Sequence, residues 1–178
     1  MSCIRTLICI VVAFAAGCAS VPLAPKEADV AAKTFKPPPG QANLYIYRNE
    51  RFGAAARLNI ALDGSVLGDT AAMTYLYTPI APGRHTIVSK AENDSEATID
   101  AKADTNYFLW QEVKMGLWTP RSALQQMPEK TGRDGVLECK MGSTRAPPPP
   151  AGCSKDTDCK GERICRAGVC AEARPLIN

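Results

Sequence analysis

The chain contains a single histidine, His85. Any reaction that needs an imidazole base, a histidine metal ligand or a Ser-His-Asp relay must therefore use that residue. It stands just after the Pro82-Gly83 pair at the start of a strand-like stretch, where a histidine more often hydrogen-bonds a neighbouring loop than a substrate. No Gly-x-Ser-x-Gly elbow accompanies it. The phosphate-cradling Gly-x-Gly-x-x-Gly and Walker patterns do not occur. Glu92, Asp94 and Glu96 fall together near a turn. Paired carboxylates can do acid–base work, but an acidic turn between strands is ordinarily solvated surface.

Cysteine is the second chemical resource. Cys153, Cys159, Cys165 and Cys170 are separated by five, five and four residues. Zinc sites usually contain a Cys-x-x-Cys knuckle, and none is present. A segment of 18 residues cannot bury enough core to fold alone. Two disulfides, each contributing about 2–4 kcal/mol, would fix it. Four cysteines allow three pairings, and spacing does not choose among them. A redox role is disfavoured by the same non-CxxC spacing. Cys139 stands apart; a buried free thiol is the preferred reading, an intermolecular bridge the other. Asp156-Thr157-Asp158 resembles the opening of a calcium loop, but the fifth and twelfth places hold Lys160 and Ala167, where an oxygen ligand and a Glu are required. No metal or cofactor is expected.

The compartment follows from the N-terminus. Met1-Ser2-Cys3-Ile4-Arg5 carries one positive charge, and an apolar run follows from Leu7 to Ala16. Ten residues are too few for a bilayer span, which needs about 20. A charged start, a short apolar stretch and small residues at the cut are the parts of a secretory signal. The run ends Ala15-Ala16-Gly17-Cys18. This resembles the lipobox of bacterial lipoproteins, with Ala15 where Leu is commonest. The resemblance implies cleavage after residue 17, a diacylglycerol on the Cys18 sulfur and further acylation such as palmitate. Ala19-Ser20 follows instead of an Asp, which favours an outer-membrane address facing the periplasm, or the cell surface. In that oxidising compartment most of the remaining thiols should pair.

About 160 residues remain after cleavage, and loss of Arg5 takes the formal charge from +3 to +2. That is room for one ordinary domain plus tails. So mild a charge does not suggest a nucleic-acid partner, which would need a concentrated basic face. Residues 18–41 contain Pro22, Pro25 and Pro37-Pro38-Pro39-Gly40, and read as a lipidated cysteine followed by an extended tether. Residues 42–140 read as strands. Leu44 and Ile46 alternate with Tyr45 and Tyr47; Leu58, Ile60 and Leu62 precede Asp63-Gly64, a strong hairpin signal because Gly accepts positive φ. Strands are also expected around residues 66–68, 73–77, 84–90, 97–101 and 106–113, the last being the richest and expected at the centre. Several short strands with turns between them indicate a small antiparallel β-sandwich. Leu124 and Met127 sit three apart, Pro128-Glu129-Lys130 can open a short helix, and Val136-Leu137 are expected to return as an edge strand. Residues 141–152, with Pro147 to Pro150, read as a linker with polyproline character. A cysteine-rich module (153–170) and a tail (171–178) complete the chain.

The stretch from Ala42 to about Lys140 resembles an uncharacterised bacterial lipoprotein family, domain-of-unknown-function family 2846. The resemblance rests on Asn43-Leu44-Tyr45-Ile46-Tyr47-Arg48, Leu62-Asp63-Gly64 with Leu67-Gly68, Pro82-Gly83-Arg84-His85-Thr86 and Asn106-Tyr107-Phe108. The Asp-Gly and Pro-Gly-x-His pair is also similar to the PEGA module, an immunoglobulin-like β-sandwich of bacterial surface proteins. Both resemblances imply a small envelope β-domain, and neither brings catalytic residues. Residues 153–170 are similar to short cysteine-rich repeats appended to bacterial surface proteins.

The function expected from these features is that of a membrane-anchored, non-catalytic envelope module. Its partners would be the membrane, through Cys18, and an envelope protein or peptidoglycan. Tyr45, Tyr47, Tyr75, Tyr77, Tyr107, Trp110 and Trp118 offer rings for a glycan face, although alternating strand aromatics more often pack as core. The alternative is an envelope hydrolase using His85 with a nearby carboxylate.

Overall fold

A computed structural model describes residues 19–114 and 121–145, together with the backbone of 163–166 and 169–172. The expected signal segment, Cys18, Trp118, the prolines 147–150, Cys153 and Cys159 lie outside the described residues.

The alternating residues form strands where the pattern places them. β1 (Ala42–Arg48), β2 (Leu58–Leu62), β3 (Ser65–Thr70), β4 (Thr74–Ile80), β5 (Gly83–Lys90), β6 (Ser95–Ala101), β7 (Asn106–Lys114) and β8 (Arg121–Met127) follow in order, with α1 (Lys26–Ala32) before them and α2 (Glu129–Leu137) and β9 (Lys140–Met141) after. They assemble into a four-stranded sheet, β3-β2-β5-β6, and a five-stranded sheet, β8-β7-β1-β4-β9. Asp63 (φ 49°) and Gly64 (φ 79°) both take the left-handed conformation. A two-residue hairpin turn of type I′ requires that at both central positions.

Period-two alternation assigns the faces. Leu44 and Ile46 of β1, Leu76 of β4 and Leu109 of β7 form one cluster with Ile60, Leu67, Ile87 and Ile99 of the other sheet. The two sheets thus share an aliphatic core, in a sandwich-like arrangement. Across it runs a buried polar chain. Thr70 donates to Gln111, Gln111 Nε2 donates to Ser89 Oγ at 2.7 Å, and Ser122 Oγ donates to Ser89 Oγ at 2.8 Å. Each buried group is satisfied only when the two sheets are in register.

Tyr45 and Tyr47 point the other way, into a second cluster with Tyr75, Phe108, Phe35, Val136 and Met141. α1 and α2 contribute to this layer, so β1 is buried at every position.

Five expectations need correction. The larger sheet is mixed, not antiparallel: β1 runs parallel to β7 and β4 parallel to β9. The whole second sheet intervenes between β1 and β7, a connection long enough to return the chain to its starting end. β1, not the aromatic-rich β7, is the central strand. Val136 and Leu137 end α2 and do not form a strand. Residues 19–41 are not an extended tether. Val21, Ala32 and Phe35 are buried, Pro25 stands at the N-cap of α1, and the strap is bonded to the body by Ala24 N to Met141 O and Asn106 Nδ2 to Phe35 O. The apolar residues among the prolines found a partner in the aromatic face, which no local pattern displays. Likewise residues 142–145 still belong to the body: Gly142 N donates to Tyr75 O, Ser143 N to Pro22 O and Arg145 N to Leu67 O.

Candidate functional site

His85 does come within hydrogen-bond reach of a carboxylate, but the carboxylate is Asp63 of the hairpin turn. Nδ1 lies 2.6 Å from Asp63 Oδ2 and Nε2 lies 2.8 Å from Ala81 O. The other oxygen, Asp63 Oδ1, accepts from Thr86 N at 2.9 Å. Both ring nitrogens face acceptors, so both donate when the ring is protonated. Burial opposes that charge, but the hydrogen bonds to Asp63 and Ala81 and the charge of Asp63 outweigh it and raise the His85 pKa above 6.5. Desolvation is likewise outweighed at Asp63, whose pKa is lowered by His85 and Thr86. An imidazole with neither nitrogen free is a clip between two turns. A general base needs an unoccupied nitrogen aimed at a substrate proton.

The other sequence candidates are not gathered around it. Glu92, Asp94 and Glu96 are all exposed, and Glu92 forms an ion pair with Arg121 at 3.1 Å. Among the described residues no group of three or more His, Cys, Asp or Glu side chains could hold a metal ion.

The aromatic residues are largely spent on packing. Tyr45 and Tyr75 are fully buried and Tyr47 nearly so. Tyr45 stacks on Phe108 with centroids 5.0 Å apart. Their hydroxyls hold the strap and the strand ends: Tyr45 donates to Ala32 O at 2.8 Å, Tyr75 to Asp29 Oδ1 at 2.8 Å and Tyr77 to Asn43 Oδ1 at 3.0 Å. The rings of Tyr45, Tyr47 and Tyr75 are therefore not offered to a glycan. Cys139 is buried and free. Burial, with help from nearby Glu138, pushes its thiol up to about 12, and Sγ donates to Arg48 O at 3.5 Å. A thiol held protonated is a poor nucleophile and metal ligand.

Sequence reasoning missed an open groove. Ala19, Ser20, Val21 and Leu23 of the strap line this groove of about 670 Å³ together with Arg51, Ala54, Ala71 to Thr74, Glu138 and Lys140. Its position depends on the loop 49–57. That loop is held from inside by the fully buried Arg48, which donates to Ala56 O at 2.9 Å, Phe52 O at 2.9 Å and Gly53 O at 2.6 Å. No signal in the sequence pairs residues 19–23 with residues 51–54. Among the described residues no helix is long and apolar enough to cross a membrane.

No solved structure matches the chain. An "Uncharacterized protein" of Haemophilus influenzae is 32% identical over 126 residues, covering 70% of this chain and 75% of that protein. A family model described as "Protein of unknown function (DUF2846)" matches residues 38–123, which run from the end of the strap through β1 and both sheets into β8. With that relative spanning most of both chains and the family pattern lying on the two-sheet body, the protein belongs to the DUF2846 family.

Proposed function

We propose that the protein is a lipid-anchored, non-catalytic module of the bacterial cell envelope, fixed through acyl chains on Cys18 and presenting its β-body to an envelope protein or to peptidoglycan. The observation that carries this reading is the sequence Leu7 to Cys18, a secretory apolar run ending in Ala-Ala-Gly-Cys. The favoured place is the periplasmic face of an outer membrane. Support for a binding rather than a hydrolytic role comes from His85, whose two nitrogens are both engaged by turn acceptors. Mass spectrometry of the mature protein tests the anchor: the N-terminal peptide should begin at Cys18 and carry diacylglyceryl and acyl mass. Sedimentation with peptidoglycan and capture from solubilised envelopes test the binding role; retention in neither would remove its support.

The C-terminal module is read as disulfide-stabilised. β10 (Arg163–Arg166) and β11 (Val169–Glu172) pair antiparallel with Cys165 directly opposite Cys170. Directly opposed residues of such a ladder have Cα atoms about 4.5–5.5 Å apart, inside the roughly 4.4–6.8 Å span of disulfides. That register supports a Cys165–Cys170 bond, leaving Cys153 to Cys159. Each bond forms by loss of two protons and two electrons from the two thiols to a disulfide-donating oxidase of the envelope. Non-reducing digestion should yield the peptide pair 165–170; a 153–165 or 159–165 linkage would refute the pairing.

A further inference from the structure

We infer that the body does not stand off the membrane but lies on it, with the groove between residues 19–23 and the loop 51–54 turned to the lipid surface. This rests on the lipid anchor proposed above, and it reverses the geometry that an extended tether would give.

The argument begins with the length of free chain, which is nearly nil. Cys18 is bonded directly to Ala19, and consecutive Cα atoms are about 3.8 Å apart. Ala19 N already donates to Ala54 O at 2.9 Å. Arg57 holds Ser20 O, Val21 is buried, and Leu23 bridges to Gly142. The strap is thus fastened to the body from the residue after the lipidated cysteine onward. Acyl chains rooted in a bilayer at Cys18 must bring Ala19 and its groove to the headgroup layer.

The chemistry of that face fits a lipid surface. Of the large apolar side chains that remain exposed among the described residues, Leu23 (51%) lines the groove, Phe52 (50%) and Leu137 (55%) are the chain neighbours of its lining residues Arg51 and Glu138, and Val30 and Val66 lie outside its lining. Exposed apolar side chains at and beside a groove mark an interaction surface. Arg51 and Lys140 line the groove with them against Glu138, an excess of cations suited to anionic headgroups. The opposite end of β1 is a strand length away from the loop that Arg48 holds, roughly 20 Å, and faces the aqueous side.

The test compares the full-length lipidated protein with a variant carrying about 20 Gly/Ser residues between Cys18 and Ala19, a flexible spacer reaching roughly 25 Å. Both are reconstituted in vesicles of phosphatidylethanolamine and phosphatidylglycerol, and backbone hydrogen exchange is read by mass spectrometry. On the native protein, amides of 50–57 and 71–74 should exchange roughly five-fold or more slowly than in the spacer variant, while the 102–105 turn at the far end exchanges alike in both. Replacing Phe52 and Leu137 by Ser should erase most of that difference without changing lipidation. Equal exchange in native and spacer proteins, with acyl mass confirmed on Cys18, overturns the apposed orientation and leaves the anchor standing. Absence of acyl mass overturns both. Protection that survives the spacer and appears equally without vesicles points to protein covering this face, and also overturns it.

Discussion

The two faces of the five-stranded sheet are buried by different means. The face toward β3-β2-β5-β6 is aliphatic: Leu44, Ile46, Leu76 and Leu109 meet Ile60, Ile87 and Ile99. The face toward the helices is aromatic, built from Tyr45, Tyr47, Tyr75 and Phe108. Aliphatic contacts are non-directional, so the first face needs a separate device, the Thr70–Gln111–Ser89–Ser122 chain, to fix how the sheets register. The aromatic face needs none, because each phenol has an apolar ring and a directional hydroxyl. Tyr45 and Tyr75 use theirs to place the strap, through Ala32 O and Asp29. One face supplies bulk stability; the other decides where residues 19–41 lie.

That contrast can be broken by substitution. Leu76→Ala on the aliphatic face should have the largest effect, about 2–5 kcal/mol, seen as loss of global stability in denaturant melts with the strap and sheets unfolding together. On the aromatic face the packing is tight enough to reverse an ordinary helix preference. A Cβ added at Gly135 would lie 2.2 Å from the Tyr47 ring, and one at Gly132 would lie 2.2 Å from Phe108. In an exposed helix Gly→Ala gains about 1 kcal/mol. Here Gly135→Ala should instead cost about 1–3 kcal/mol through displacement of the ring, read in the same melts. A gain on substitution would mean α2 does not rest on Tyr47.

Asp29→Ala should cost about 1–3 kcal/mol by leaving the Tyr75 hydroxyl and Met141 N without their acceptor. The loss should be local, with exchange accelerating in residues 24–35 before the sheets open. Burial disfavours the Asp29 carboxylate, but Tyr75, Lys33 and Met141 together hold its pKa below 3.8. The strap's contribution from this residue is therefore present above that value and lost as pH falls through the folded value. The smallest effect lies outside both faces, at the His85–Asp63 clip. His85 is raised, so its contribution is full below 6.5 and disappears as pH rises through the higher folded value. The ion pair is partly exposed, and the change should not exceed about 1 kcal/mol. Stability of His85→Gln should lack this decline between neutral and alkaline pH; a decline identical to that of the native protein would assign it elsewhere.

Strand positions were legible because period two is a local property: Leu58 to Leu62, Asp63-Gly64 and Asn106 to Val113 announce themselves without knowledge of partners. The apolar ends of the strap were not, since Val21 and Phe35 are isolated among prolines and charges. Arg48 reads as the polar end of a strand, yet it is fully buried and organises the 49–57 loop. The sequence left the acid that engages His85 unnamed for the same reason. Glu92, Asp94 and Glu96 are near it in sequence, but Asp63 reaches it because β2 and β5 are adjacent strands of one sheet.

By itself the sequence determined the strands and their turns and the segregation of cysteines at the C-terminus, all of which depend on residues close together along the chain. Only the tertiary structure decided that β1 is central and parallel to β7, that His85 is a clip, and that residues 19–41 fold back as part of the body. Those outcomes depend on which surfaces meet, and an aromatic face that buries a distant strap leaves no periodicity in the strap it buries.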